Sequence, residues 1–137
     1  MYKFESELVK EFDEYLRIVQ CPFEQVETGF EFNYLSGKVD VVAKNIICEL
    51  YSFEAKLLNW RKALAQAYRA TSFSHYSYVV LPERIAFNAL DFDYEFTNRK
   101  VGLCSVNKIG IFIHISAPRC NPFQPWLTNS ALKYISC

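Results

Sequence analysis

The chain has 137 residues, of which 51% are hydrophobic and 17% aromatic, and its 15 basic and 15 acidic side chains cancel to a net charge of zero. That length and apolar content exclude a disordered chain and favour one packed domain spanning 1–137. Overall charge gives no support for nucleic-acid binding, no apolar run nears the ~18 residues that cross a bilayer, and the charged start MYKFESELVKEF is unlike a signal peptide, so a cytoplasmic protein with no membrane partner is expected.

Charge is unevenly placed along the chain. Residues 1–35 carry eight acids against three bases, and residues 36–75 carry six bases against three acids. The basic middle third permits local contact with phosphate. Five widely spaced cysteines, with no C-x-x-C pair, are expected to be reduced and mostly buried.

In chain order, Phe4, Leu8, Phe12, Tyr15, Leu16 and Val19 form an apolar stripe at helical spacing, which predicts a helix over 3–19. Cys21-Pro22 ends it, because proline disfavours helix in the residue before it. Strands are expected at 24–34, with Gly29 as a bulge, at 38–43 after the Ser36-Gly37 turn, and at 46–54 after a tight connection at Lys44-Asn45. Residues 57–73 return to helical spacing through Leu57, Trp60, Leu64, Ala67 and Thr71. A strand follows at 76–82, closed by Pro82. In 83–98, RIAFNAL suits a helical turn, and DFDYEF alternates acid and aromatic as an exposed strand does. VGLCSV (101–106) and IGIFIHIS (109–116) form a hairpin, and a proline-rich tail leads to a short helix over 129–136. A helix crossing between buried strands predicts an α/β fold with a mixed sheet.

Within this order, VDVVAKNIICELYSFEAK (39–56) places Asp40 early in one apolar run and Glu54 and Lys56 at the end of the next. Alternation along a strand aims Glu54 and Lys56 the same way, together with Ile46, Cys48, Leu50 and Ser52. Antiparallel pairing through a turn at 44–45 lets Asp40 face them. Two carboxylates and an ammonium at a sheet end suit metal-assisted hydrolysis. Mg²⁺ is commonly held by one or two carboxylates plus phosphate and water, so Asp40, Glu54 and the Ala55 carbonyl can supply oxygens. Lys56 can orient or help deprotonate water and offset phosphate charge. Without a metal, two adjacent carboxylates repel and one tends to be protonated. The plainer alternative is that these are solvated residues at strand ends.

The full arrangement of helix, Asp40 strand, Glu54-x-Lys56 strand, basic helix KLLNWRKALAQAYRA and strand SYVVLP resembles the PD-(D/E)xK nuclease superfamily. That superfamily includes restriction endonucleases and archaeal Holliday-junction resolvases. The likeness covers roughly 3–82, and Val39 stands where many members carry proline. It implies a restriction endonuclease-like mixed sheet with flanking helices: an α-β-β-β-α-β core, here followed by a C-terminal hairpin. It also implies Mg²⁺ or Mn²⁺ as cofactor, DNA as substrate, Asp40 and Glu54 as metal ligands, and Lys56 as the catalytic lysine. ESELV (5–9) is similar to the glutamate-bearing helix start of the resolvases, which nominates Glu5 as a further ligand with Glu7 as fallback; helical geometry also puts Glu5 within the apolar stripe. Some branches carry Gln and Tyr on the following helix. Gln66 and Tyr68 are present at a different spacing, and Asn59, Lys62, Gln66 and Arg69 make a polar stripe suited to phosphate or simply to solvent.

His75 and His114 stand alone and are expected to be structural. Asp91, Asp93 and Glu95 are expected on one outward strand face. The leading expectation is a Mg²⁺-dependent DNA endonuclease of restriction or repair type. Its rival is a non-catalytic nucleic-acid-binding or assembly protein on the same fold, with the acidic first helix or the aromatic tail as interface. The small size favours that rival or a homodimer.

Overall fold

The protein, as a computed structural model, is described over residues 2–18, 21–23, 26–34 and 37–136. Val19, Glu24, Gln25, Ser36 and Cys137, all touched by the expectations above, lie outside the described residues. Helix α1 (Glu5–Leu16) precedes a meander of β1 (Glu27–Tyr34), β2 (Gly37–Lys44) and β3 (Leu50–Ala55). Helix α2 (Trp60–Ala70) crosses to β4 (Tyr76–Pro82), and α3 (Glu83–Leu90) with α4 (Asp93–Asn98) leads to β5 (Gly102–Val106). Strand β6 (Ile111–Ile115) and α5 (Pro125–Ser136) complete the order.

The six strands lie in chain order, β1-β2-β3-β4-β5-β6. Pairing is antiparallel through β1-β2-β3, parallel through β3-β4-β5, and antiparallel again at β5-β6. This is the expected α/β mixed sheet with flanking helices. Because β3 and β4 run parallel, a tight turn cannot join them and the chain crosses over through helix α2.

Alternation divides the core into two faces. On one face Leu8, Phe12 and Leu16 of α1 pack with Phe23 over Val41, Ala43, Phe53, Ala55, Tyr78 and Val80. On the other, α2, α3 and α4 cover Val79, Leu81 and Leu103, while α5 and the end of α2 close over Val39, Val42 and Leu50. The chain after residue 82 therefore extends the sheet and supplies much of its second helical layer.

Three local expectations are corrected. Residues 46–49 are not strand. The Asn45 Oδ1 accepts from the Ile47 and Glu49 amides at 3.2 and 2.9 Å, which holds a turn, with Cys48 at φ +61°, where two isoleucines favoured extension. Ile46 and Cys48 consequently share no face with Glu54 and are exposed.

DFDYEF is helical, not an exposed strand. Phe92 and Phe96, four apart, both meet Trp60, with ring centroids at 5.7 and 5.4 Å. Asp93 and Glu95 fall in the first turn of α4, where carboxylates favour the helix dipole, so they line no strand face. The expectation of mostly buried cysteines is not met among the described residues: Cys104 is buried, Cys21 and Cys120 are half-buried and Cys48 is exposed. Both histidines have hydrogen-bond partners. His75 Nδ1 accepts from the Leu50 amide at 2.9 Å, and His114 Nε2 lies 2.8 Å from Ser105 Oγ.

Candidate acidic site at the β2–β3 splay

The β2–β3 ladder pairs Val41–Lys44 with Leu50–Phe53 and goes no further. Beyond Phe53 the strands part, and a side chain replaces the missing backbone partner. Asp40 Oδ2 accepts the Ala55 N–H at 2.9 Å. On the other side of β3, the Lys56 amide still donates to the Val80 carbonyl at 3.2 Å, so the end of β3 stays pinned to β4 while it opens toward β2.

Glu54 occupies this opening. It shares with Leu50 and Ser52 the sheet face beneath α2 and α5, and is only 1% exposed. Its carboxyl takes the Asp40 backbone N–H and lies in hydrogen-bond contact with the Asp40 side chain. Its Oε2 has no hydrogen-bond partner. Burial, and then the charge of Asp40, push the Glu54 carboxyl up to about 9, so it carries its proton at neutral pH. Burial also raises Asp40, opposed by the Ala55 amide and by the nearby charges of Lys38 and Lys56. The two acids thus form a coupled pair in which Glu54 holds a proton.

Lys56 has left the strand, which ends at Ala55. Its ammonium lies 3.5 Å from Glu5 Oε1 at the start of α1, and its charge acts on both Asp40 and Glu54. Glu5 is therefore brought to the site through Lys56. Glu7 is used otherwise: its carboxylate caps α1, accepting from the Lys3 and Phe4 amides at 2.7 and 2.9 Å, and those bonds lower its pKa. Among the described residues no three Asp, Glu, His or Cys side chains gather tightly enough to make a metal cluster by themselves.

Asp40 and Glu5 border a cleft of about 390 Å³ beside α1, with Lys10, Lys38 and Phe30 also on its walls. Of the α2 stripe, Lys62 and Arg69 are exposed and Gln66 is half-buried, while Asn59 caps the helix through the Lys62 amide at 3.2 Å. Arg69 also reaches inward and hydrogen-bonds the Tyr34 hydroxyl beside Glu54. Sequence reading did not single out Tyr34 or Lys38. Lys38 had a signal, since it stands two residues before Asp40 on the same strand; Tyr34 had none without the sheet.

No protein-family model and no curated protein sequence matches the chain. Among solved structures, a protein of unknown function from Silicibacter pomeroyi superposes with a TM-score of 0.69 at 14% identity, over 99% of this chain and 86% of that one. The likeness is one of fold. No helix among the described residues is long and apolar enough to cross a membrane.

Proposed function

We propose that the protein is a metal-dependent deoxyribonuclease of the PD-(D/E)xK type, with Asp40, Glu54 and Lys56 at its centre. The observation that carries this reading is Glu54: a buried carboxyl with an orphaned oxygen, pressed against a second carboxyl where two strands part. An unpartnered buried acid is costly, and proteins retain such costs mainly at working sites. The topology around it, with one helix, a three-stranded meander and a crossover helix to a parallel strand, supports the same reading.

The donor set fits a hard divalent cation such as Mg²⁺ or Mn²⁺. Asp40, Glu54 and the Ala55 carbonyl offer oxygens, and such cations take one or two carboxylates with water and phosphate making up the remainder. When bound, the cation would neutralise phosphate charge and acidify water. Asp40 keeps the β3 end open by holding the Ala55 amide, and it borders the cleft through which phosphate arrives. Glu54 must surrender its proton before it can serve as a charged ligand. Lys56, tethered by Glu5, holds a positive charge beside the scissile group and orients water there. Lys62, Gln66 and Arg69 on α2 would contact the DNA backbone.

The test is cleavage of plasmid, branched and single-stranded DNA in Mg²⁺ or Mn²⁺ by the wild type, Asp40→Asn and Lys56→Ala, with metal binding followed by calorimetry. Cleavage lost in both variants supports the proposal. Equal cleavage by all three forms marks a contaminant, and absence of both cleavage and metal binding in the wild type overturns it. That last result would favour a non-catalytic binding protein, a reading supported by the closure of Glu54 and the occupation of Lys56 by Glu5.

A further inference from the structure

The two edges of the sheet are built differently. Strand β1 carries Glu27 and Glu31, twists at Glu31 (φ +52°), and is flanked by α5, whose Tyr134 bonds the Phe30 carbonyl. Charge, irregular backbone and a covering helix are the ordinary means by which an edge is kept from pairing. Strand β6 has much less of this. Its stretch IGIFIHIS (109–116) contains no charged residue and no proline. Its one irregularity is the register shift opposite Leu103 and Cys104, which leaves Ile111–Ile113 in regular pairing with β5. Among the described residues no strand pairs with its outer edge, so alternate N–H and C=O groups point away from the sheet.

Exposed apolar side chains lie around that edge. Ile109 is 92% exposed, Phe112 61% and Phe87 55%. Phe87 and Phe112 both lie against His114, with ring centroids 5.3 and 5.0 Å from it. Ile111 and Ile113 pack against the core, and Ile109, Ile111 and Phe112 share a cavity with Tyr15, Ile18, Cys21 and Pro22 near the end of α1.

We propose that β6 is the contact surface for a second copy of this chain, the two β6 strands pairing antiparallel about a two-fold axis. Antiparallel pairing makes a strand complementary to itself, and a two-fold contact closes at two subunits. The strand itself brings no charged residue to the contact, and Glu83 and Lys108 stand at its border. Ile109, Phe112 and Phe87 together expose roughly 400 Å² per copy, so a dimer hides at most about 800 Å² of side chain with the strand backbones in addition. That is the scale of weak, specific association, below the 1,200–2,000 Å² typical of stable complexes. With the axis perpendicular to the sheet, α1 lies on the same face in both copies, and the two acidic sites fall at opposite ends of the joined strands.

Sedimentation equilibrium across the micromolar range tests this. The wild type is expected to pass reversibly from monomer to dimer, and Phe112→Lys and Ile109→Lys, both at exposed positions, to weaken dimerisation roughly tenfold or more with an unchanged circular dichroism spectrum. A wild type that stays monomeric throughout overturns the proposal, as does a dimer that both substitutions leave intact. The readout is mass, so it stands independently of whether the acidic site cleaves DNA.

Discussion

Two glutamates bracket β3, and their surroundings differ sharply. Glu49, just before the strand, is fully engaged: Oε2 meets Arg119 Nε at 2.5 Å, and Oε1 accepts from Asn45 Nδ2 at 3.1 Å and from the Tyr76 hydroxyl at 3.4 Å. Those partners, Arg119 foremost, hold its carboxyl below the usual range. Glu54, near the end of the same strand, has an oxygen without a partner and a carboxyl pushed up to about 9. One acid ties the Asn45 turn and the 117–121 segment to the sheet. The other stores an unmet electrostatic demand. Local stability accounts for the first and does not account for the second, which is why the candidate site is placed at the second.

The comparison can be broken in several ways. The largest expected effect is on chemistry: Asp40→Asn and Lys56→Ala each lower metal-dependent DNA cleavage by about 100-fold or more. Unchanged rates in either would remove that residue from the site.

Next in size is stability. Folding raises Glu54 from an ordinary 4.5 to about 9, so the folded state holds a proton that the unfolded state releases in between. Stability is therefore fully present below about pH 4.5 and declines as pH rises toward 9. Glu54→Gln removes that dependence and should stabilise the metal-free protein by on the order of 3 kcal/mol at pH 8, with little change near pH 4.5, in urea unfolding. If the substitution destabilises at pH 8, Glu54 is ionised and partnered like Glu49, and the contrast fails.

Metal dependence sharpens the same point. If Mn²⁺ or Mg²⁺ binds at the proposed site it would displace the proton from the carboxyl pair, so either ion should raise the melting temperature more at pH 8 than at pH 5.5. A shift that is equal at both pH values would mean the ion binds elsewhere.

The smallest effects belong to Glu49. Its pKa is lowered on folding, so its contribution is present above about pH 4.5 and lost as pH falls, opposite in sign to that of Glu54. The Arg119 side of this ion pair is exposed, so Glu49→Gln should lower the melting temperature by about a degree or two at neutral pH, less in high salt. A shift as large as that of Glu54→Gln would mean the two glutamates are not different in kind.

Much of the fold was legible from periodicity. Leu8, Phe12 and Leu16 announced α1, YSYVVLP announced β4, and 101–116 announced the hairpin, because each pattern has a single good burial solution. The failures have physical causes. Asn45 captured the backbone amides of residues that otherwise favour strand, and the Phe92–Phe96 spacing satisfies a helix packed on Trp60 as well as an alternating strand. For the site, Asp40, Glu54 and Lys56 were visible as charges in apolar surroundings, but parity assigned Lys56 to the same face as Glu54. The structure ends β3 at Ala55 and turns Lys56 toward Glu5. Helical spacing put Glu5 within the apolar stripe and left Glu7 as fallback, and in the structure Glu7 caps α1 while Glu5 pairs with Lys56.

Local chemistry alone determined which segments had to be buried and with what period, and therefore an α/β sheet with a crossover helix. It also determined that two acids and an amine would approach the same sheet end. Only the tertiary structure decided how deeply each acid is withdrawn from water, that β2 and β3 part at that point, and that one sheet edge is guarded while the other is open. Those outcomes depend on contacts between residues distant in the chain, where desolvation and pairing are set by neighbours that no local pattern specifies.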